Sequence, residues 1–225
     1  MKLTEKDLIA GIAGDLGTKE VNEAFVVSDR VFDYRTDAIS QSTKQAHQEL
    51  LNNYVETLNR VSAELDTANT EEANSNDSVF RSLKIDEIYN LNAAFLHGMF
   101  FDNIAEDSRI TADSLAFMRL ERDFGSFDNW QRDFIATALS SRNGWAVTVY
   151  NTFIKRYINV VVDLHSLNVP FSSYPVIVLD MWEHAYYRDY LNDKKKYVYA
   201  MMKQLNWKVI EERIQRAEDV GEVFK

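Results

Sequence analysis

The apolar positions along the chain first settle into a helical period near residue 40. From residue 42 to residue 67 there is neither Gly nor Pro, and apolar side chains return every three or four residues. That spacing predicts one long amphipathic helix, with Ser40 or Ser42 capping its first turn. The apolar stripe consists of Ala46, Leu50, Leu51, Tyr54, Leu58, Val61 and Leu65.

A polar segment, "NTEEANSND" at residues 69–77, interrupts this pattern. Helical spacing returns afterwards and predicts a second helix at about 86–103. Two more helices are predicted on either side of Gly125-Ser126, with Thr111 and Ser126 as their N-caps.

Residues 1–38 carry the weakest pattern of the chain. The stretch "TEKDLIAGIAG" is compatible with a short helix capped by Thr4, and "FVVSDRVFDY" is compatible with a strand or an extended arm. We therefore treat residues 1–38 as an N-terminal extension.

The periodicity changes after Asn143-Gly144. "WAVTVY", "KRYINVVVDLHS" and "YPVIVLD" predict three strands, and helical spacing resumes from about residue 183. Helices that precede and follow a small sheet predict an α+β fold. We expect a helical hairpin domain at residues 39–108, followed at 109–225 by a mixed domain in which helices flank a three-stranded antiparallel sheet.

Composition narrows the function classes. The net charge of −10 argues against a general nucleic-acid-binding role. Cysteine is absent, which excludes disulfides, iron–sulfur clusters and thiolate metal sites. No apolar run is long enough for a membrane span or for the core of a signal peptide, so a cytoplasmic protein is the expectation.

Four histidines, each in an apolar or aromatic setting, are the main candidates for chemistry. His184 follows Asp180 by four residues in "VIVLDMWEHAYYRDY", where an apolar strand ends in an acid. The others are His47, His97 and His165. Single histidines of this kind are usually hydrogen-bonded core residues, but four in one chain favour a shared site. Imidazole and carboxylate ligands without sulfur suit iron, manganese or zinc, and the residues alone leave these alternatives open.

Several segments together resemble one family. They are, in chain order, "ISQSTKQAHQELLNNYVETLN", "NLNAAFLHGMFFDNI", "FGSFDNWQRDFIATA", "NGWAVTVY", "DMWEHAYY" and "LNW". In this order they resemble the iron/manganese superoxide dismutases over about residues 39–210. The resemblance implies one Fe or Mn ion per subunit, held by His47, His97, Asp180 and His184, and conversion of superoxide to oxygen and hydrogen peroxide.

The resemblance also implies roles for the residues around this ion. Tyr54 would stand at the substrate gate, and His165 would bond the solvent on the metal. Glu183 would reach the partner subunit's His184, with Tyr187 nearby, in a homodimer or a dimer of dimers. The walls of the pocket would be Phe100, Trp145 and Trp182.

Some positions depart from the family, and two alternatives to a dismutase stay open. Leu50 and Leu51 stand where the family has a further histidine, one residue is missing between His47 and Tyr54, and Ala93 replaces a glutamine four residues before His97. The first alternative is a structural or assembly protein that keeps the fold with little or no activity. The second is a hydrolytic zinc site.

Overall fold

The computed structural model describes residues 26–27, 30–32, 35–106 and 108–223. Within these residues, helices precede and follow a single three-stranded sheet, which confirms the predicted α+β class. The helices are α1 (Gln41–Asp66), α2 (Val79–Asp102), α3 (Leu115–Phe124), α4 (Phe127–Ser140), α5 (Glu183–Tyr190), α6 (Lys194–Met202) and α7 (Trp207–Val223). The strands are β1 (Gly144–Asn151), β2 (Arg156–Asp163) and β3 (Ser173–Asp180).

The hairpin of α1 and α2 agrees with the prediction except at one end. Ser40 is the N-cap of α1, and its hydroxyl accepts a hydrogen bond from the Thr43 amide. The Asp189 carboxylate accepts a further bond from the Ser40 amide and thereby joins α5 to the start of α1. Helix α2 begins at Val79 rather than near residue 86, because Ser78 caps it by accepting from the Arg81 amide.

The predicted N-cap of α4 is correct, and the predicted N-cap of α3 is wrong. Ser126 caps α4 as expected. Thr111 does not cap α3: its carbonyl accepts from the Ser114 amide, and Ser114 is the N-cap. Between the two helices Gly125 adopts a φ of 82°, a left-handed conformation that glycine takes without steric cost.

The sheet has the antiparallel order β2-β1-β3, and its central strand β1 is buried along its whole length. At the start of β1 only glycine fits, because a Cβ on Gly144 would lie 2.1 Å from the Val162 carbonyl oxygen. The next residue, Trp145, is paired with Asp180, the last residue of the neighbouring strand β3. The sheet therefore brings an indole beside the strand-end carboxylate.

Two boundaries in the second half of the chain differ from the prediction. His165 does not end the second strand: β2 stops at Asp163, and Leu164 adopts a left-handed φ of 54° before His165 turns inward. The first of the two helical stretches expected after residue 183, at 183–205, is divided into α5 and α6 at Leu191, which also has a positive φ of 52°.

Arg213 on α7 joins the two halves of the fold. Its buried guanidinium donates hydrogen bonds to the Asn103 side-chain oxygen and to the Met99 carbonyl at the end of α2. The same Asn103 oxygen accepts from the Val178 amide of β3. Burial lowers the pKa of Arg213 to about 10, which leaves it charged at neutral pH. The bonds therefore hold α2 and β3 together.

Predictions for the N-terminal extension lie largely outside the described residues, including the helix capped by Thr4. Two described parts of the arm, 26–27 and 30–32, belong to neither a helix nor a strand. Val27 exchanges hydrogen bonds with the Asn59 side chain of α1. The proposed domain boundaries and the cytoplasmic location stay predictions. Among the described helices, none combines the length and apolar character that a membrane crossing requires.

Candidate metal centre

Four side chains from four elements meet between the hairpin and the sheet. Helix α1 supplies His47, α2 supplies His97, β3 ends in Asp180, and α5 begins just before His184. One donor atom from each lies within 4.8 Å of all the others. The first three residues are buried, whereas His184 is partly exposed. The fold therefore brings together the four residues that the sequence singled out as metal ligands.

One carboxylate oxygen is the centre of this group. Asp180 Oδ2 lies 3.2 Å from His47 Nε2, 3.5 Å from His97 Nε2 and 3.2 Å from His184 Nε2. The other oxygen, Oδ1, accepts from the Trp182 backbone amide at 2.8 Å, which fixes the orientation of the carboxylate. Three ring nitrogens thus face one oxygen in a buried space.

The protonation of His97 indicates that these contacts are not simple hydrogen bonds. His97 Nδ1 lies 2.7 Å from the Ala93 carbonyl oxygen, which only accepts, so the proton is on Nδ1. Burial lowers the pKa of His97 to about 3, so the ring is neutral at pH 7 and Nε2 carries a lone pair. This lone pair faces a carboxylate oxygen, an arrangement that becomes favourable when a cation lies between them.

The charges of the other groups also fit a cation. Burial alone would raise the pKa of the Asp180 carboxyl, but the adjacent His184 and His47 rings outweigh it and hold the pKa below its usual range. Burial lowers the pKa of His47. An ionised carboxylate and imidazole nitrogens form a donor set that suits Fe, Mn or Zn.

His165 forms a hydrogen-bonded pair with Tyr54 beside the four candidate ligands. The Trp145 indole N–H, which can only donate, points at His165 Nδ1 at 3.0 Å. Burial lowers the pKa of His165 to about 4, so the neutral ring carries its proton on Nε2. His165 Nε2 lies 3.1 Å from the Tyr54 hydroxyl oxygen and donates to it. Burial raises the pKa of Tyr54, which keeps the phenol protonated and leaves its O–H able to donate.

The three aromatic residues that the family resemblance implied as pocket walls lie beside the candidate ligands and His165. Phe100 contacts His47 with ring centroids 5.6 Å apart, and Trp145 meets His97 edge-on at 4.8 Å. Trp182 stacks on His165 at 4.9 Å. His47, His97 and Asp180 have almost no exposed surface, and electrostatic interactions are stronger in such an environment than in water.

Two predicted site residues lie on the surface of the single chain. Glu183 is exposed at the start of α5, and Tyr187 is 52% exposed one turn later. Both are next to the partly exposed His184, on the outer side of the site. Their contacts with a second subunit stay predictions.

Sequence reasoning missed two residues that hold His165 from α2. The Tyr89 ring lies 4.7 Å from the His165 ring, and the Asn92 side-chain amide donates to the His165 carbonyl at 2.9 Å. A signal was present in the spacing, because Tyr89 precedes His97 by eight residues and lies on the same face of the helix. Without knowing that residue 165 approaches that face, however, the spacing did not distinguish Tyr89 from a core residue.

Comparisons with known proteins give one consistent result. A sequence profile described as "Iron/manganese superoxide dismutases, C-terminal domain" matches residues 113–213. The iron superoxide dismutase of Aquifex aeolicus is 32% identical over 163 residues, which cover 72% of this chain and 76% of the relative. A manganese superoxide dismutase of Halobacterium salinarum is 34% identical over 154 residues, covering 68% of this chain and 75% of the relative.

Proposed function

The chain belongs to the iron/manganese superoxide dismutase family, and we propose from this premise that it disproportionates superoxide at the His47, His97, Asp180 and His184 cluster. The observation that carries the proposal is the convergence of three ring nitrogens on Asp180 Oδ2, within a set of donor atoms that spans 4.8 Å. The cofactor is Fe or Mn, since the relatives include superoxide dismutases named for either metal.

The reaction converts two superoxide anions and two protons into O₂ and H₂O₂. When bound, the metal supplies the electron transfer by alternating between its +2 and +3 states. The protein must bind the ion, admit a small anion and deliver two protons to the peroxide product.

Asp180 and the three imidazoles fulfil the first of these tasks. They supply one negative charge in total, which offsets only part of the charge of the cation and leaves the site attractive to an anion. The Trp182 amide at Asp180 Oδ1 and the Ala93 carbonyl at His97 Nδ1 fix the orientations of two of the donors. Hydrogen bonds of this kind set the tautomer of a ligand histidine and tune the metal.

Tyr54 and His165 are placed to handle protons. Because Trp145 donates to His165 Nδ1, the imidazole presents its proton at Nε2 towards the Tyr54 oxygen. The Tyr54 oxygen accepts this bond, so its own proton is available to a species in the pocket. A proton that leaves Tyr54 is replaced from solvent, since Tyr54 is partly exposed, while His165 keeps its Nε2 proton and stabilises the Tyr54 oxygen through the hydrogen bond.

Loading the metal-free protein separately with Fe, Mn or Zn tests the proposal. We expect Fe or Mn to support superoxide dismutation and Zn to support none, because Zn has no accessible redox change. Asp180→Asn should lose the metal. His165→Gln should retain the metal but lose activity. Its retained metal is the control that a substitution within the site does not by itself unfold the protein. Full Fe or Mn occupancy without dismutation would contradict the proposal and favour a structural protein.

A dimer is a further part of the proposal. It is supported by the exposure of Glu183 and Tyr187 directly beside the partly exposed His184. Sedimentation equilibrium of the protein should give twice the chain mass, and Glu183→Ala should shift the equilibrium towards monomer. A monomer at micromolar concentration in the unmodified protein would contradict it.

A further inference from the structure

The Tyr89 ring lies against His165 on the side of the site that faces solvent. Its centroid is 4.7 Å from the His165 ring centroid, with the two planes at 77°. Tyr54 meets the same imidazole at 5.1 Å and 76°. His165 itself is fully buried, while both tyrosines are partly exposed. Two tyrosine rings, one from α1 and one from α2, therefore separate this imidazole from water.

We propose that Tyr89 is a positioning residue for His165: its ring holds the imidazole in the orientation that directs Nε2–H at Tyr54 and shields that hydrogen bond from solvent. The inference rests on the proposed function, because it assigns Tyr89 a part in the proton delivery described there. The contact with His165 is with the aromatic ring of Tyr89, so the ring rather than the hydroxyl carries the role.

The other restraints on His165 leave Tyr89 a distinct part. Trp145 fixes Nδ1, Asn92 holds the backbone carbonyl, and Trp182 stacks on the imidazole with planes 26° apart. A stacked ring permits rotation of the imidazole within its own plane. Edge-on rings such as Tyr89 and Tyr54 obstruct displacement of the imidazole, and edge-to-face pairs are favoured by the ring quadrupoles. Because Tyr54 is itself the hydrogen-bond partner of His165, Tyr89 is the edge-on ring that holds the imidazole independently of that bond.

The local backbone makes this restraint necessary. His165 lies on a loop outside the sheet, after Leu164 with its left-handed φ of 54°. A loop residue has fewer backbone restraints than one in a strand. Helix α2, which also carries His97, supplies the missing rigidity through Tyr89 and Asn92. The helix thereby sets His165 in a fixed relation to a candidate metal ligand.

The test compares Tyr89→Ala and Tyr89→Phe with Phe95→Ala as a matched control. Phe95 is a half-exposed aromatic residue on the same helix, and within the described residues it makes no ring contact with His165. The first readout is nitrogen and proton NMR of the His165 imidazole in the metal-free protein, assigned with His165→Gln. It reports the tautomer and the exchange of Nε2–H with water.

The proposal predicts that Tyr89→Ala accelerates the exchange of His165 Nε2–H about fivefold, which corresponds to the loss of one edge-on aromatic contact. Tyr89→Phe and Phe95→Ala should leave the exchange rate unchanged. In the metal-loaded enzyme, Tyr89→Ala should lower kcat severalfold at unchanged metal content, and Tyr89→Phe should restore it.

Three results would overturn the proposal. The first is an unchanged exchange rate in Tyr89→Ala, and the second is an equal acceleration in Phe95→Ala. The third is failure of Tyr89→Phe to restore kcat, which would transfer the role to the hydroxyl. If the unmodified protein binds metal without dismutating superoxide, the proposed function fails, while the NMR measurement still decides whether Tyr89 positions His165.

Discussion

Replacing Trp145 with Phe tests whether one buried hydrogen bond sets the state of His165. The substitution removes the indole N–H that donates to His165 Nδ1 at 3.0 Å, and both residues have no exposed surface. An acceptor left unpaired in such a place costs about 1–3 kcal/mol. For a chain of this size that corresponds to a fall in melting temperature of roughly 2–12 °C.

Trp182→Phe is the matched control for Trp145→Phe. Trp182 stacks on the same imidazole, but its indole N–H is buried without a hydrogen-bond partner among the described residues. Its removal leaves no acceptor on His165 unpaired. We therefore expect Trp145→Phe to lower the unfolding free energy of the metal-free protein by about 1–3 kcal/mol more than Trp182→Phe does.

Two measurements decide the comparison. Urea titrations of the metal-free variants give the difference in unfolding free energy, and imidazole NMR gives the tautomer of His165. Trp145→Phe should show a mixture of Nδ1–H and Nε2–H forms, whereas Trp182→Phe should keep the Nε2–H form. Equal stabilities together with an unchanged tautomer in both variants would refute the reasoning.

Three further predictions concern stability. Asp123 accepts from Arg122 and from the Tyr157 amide, and these bonds outweigh burial and lower its pKa, so Asp123→Asn should cost about 1.5–3 kcal/mol at pH 7 in urea titrations. The loss of unfolding free energy in Asp123→Asn should vanish as pH falls through the lowered pKa of Asp123. A loss that does not change with pH would contradict this explanation. Gly144→Ala should cost more than about 3 kcal/mol, since its Cβ would lie 2.1 Å from a carbonyl oxygen. Gly98→Ala, whose Cβ would meet only Phe32, at 3.5 Å, outside the backbone of its own helix, should gain about 0.5–1 kcal/mol in helix α2. Equal effects of the two substitutions in calorimetry would contradict this contrast. Finally, burial lowers the pKa values of His47, His97 and His165, so these residues bind protons mainly in the unfolded state. The unfolding free energy of the metal-free protein should therefore fall below pH 6.5 by up to about 1.4 kcal/mol per pH unit for each of these histidines. Equal urea midpoints at pH 7.5 and 5.5 would rule this out.

Much of the fold followed from periodicity alone. The stripe of α1 and the apolar runs of the three strands were sufficient to place those elements within a few residues. Two of the errors lie where a single capping side chain decides the boundary, as at Ser78 and Ser114, and two others lie at Leu164 and Leu191, which have a positive φ. Several polar residues near a helix start can form such a cap, and the choice depends on tertiary contacts that the local pattern does not contain.

The site, like the fold, was predicted only in part from the sequence. The four candidate ligands were found through a family resemblance, and the structure brings their donor atoms together. Tyr89 was missed because its role depends on a contact between residues 76 positions apart in the chain, across a loop with an unusual backbone conformation. Hydrophobic periodicity identifies which face of a helix is buried, but it does not identify what that face meets.

Diffraction from crystals of the iron-loaded protein, collected on both sides of the iron absorption edge, tests the central claim most directly. We expect one anomalous peak per chain, enclosed by the Nε2 atoms of His47, His97 and His184 and by Asp180 Oδ2. An active enzyme whose iron peak lies elsewhere in the chain, or that lacks a peak at this position, would contradict it.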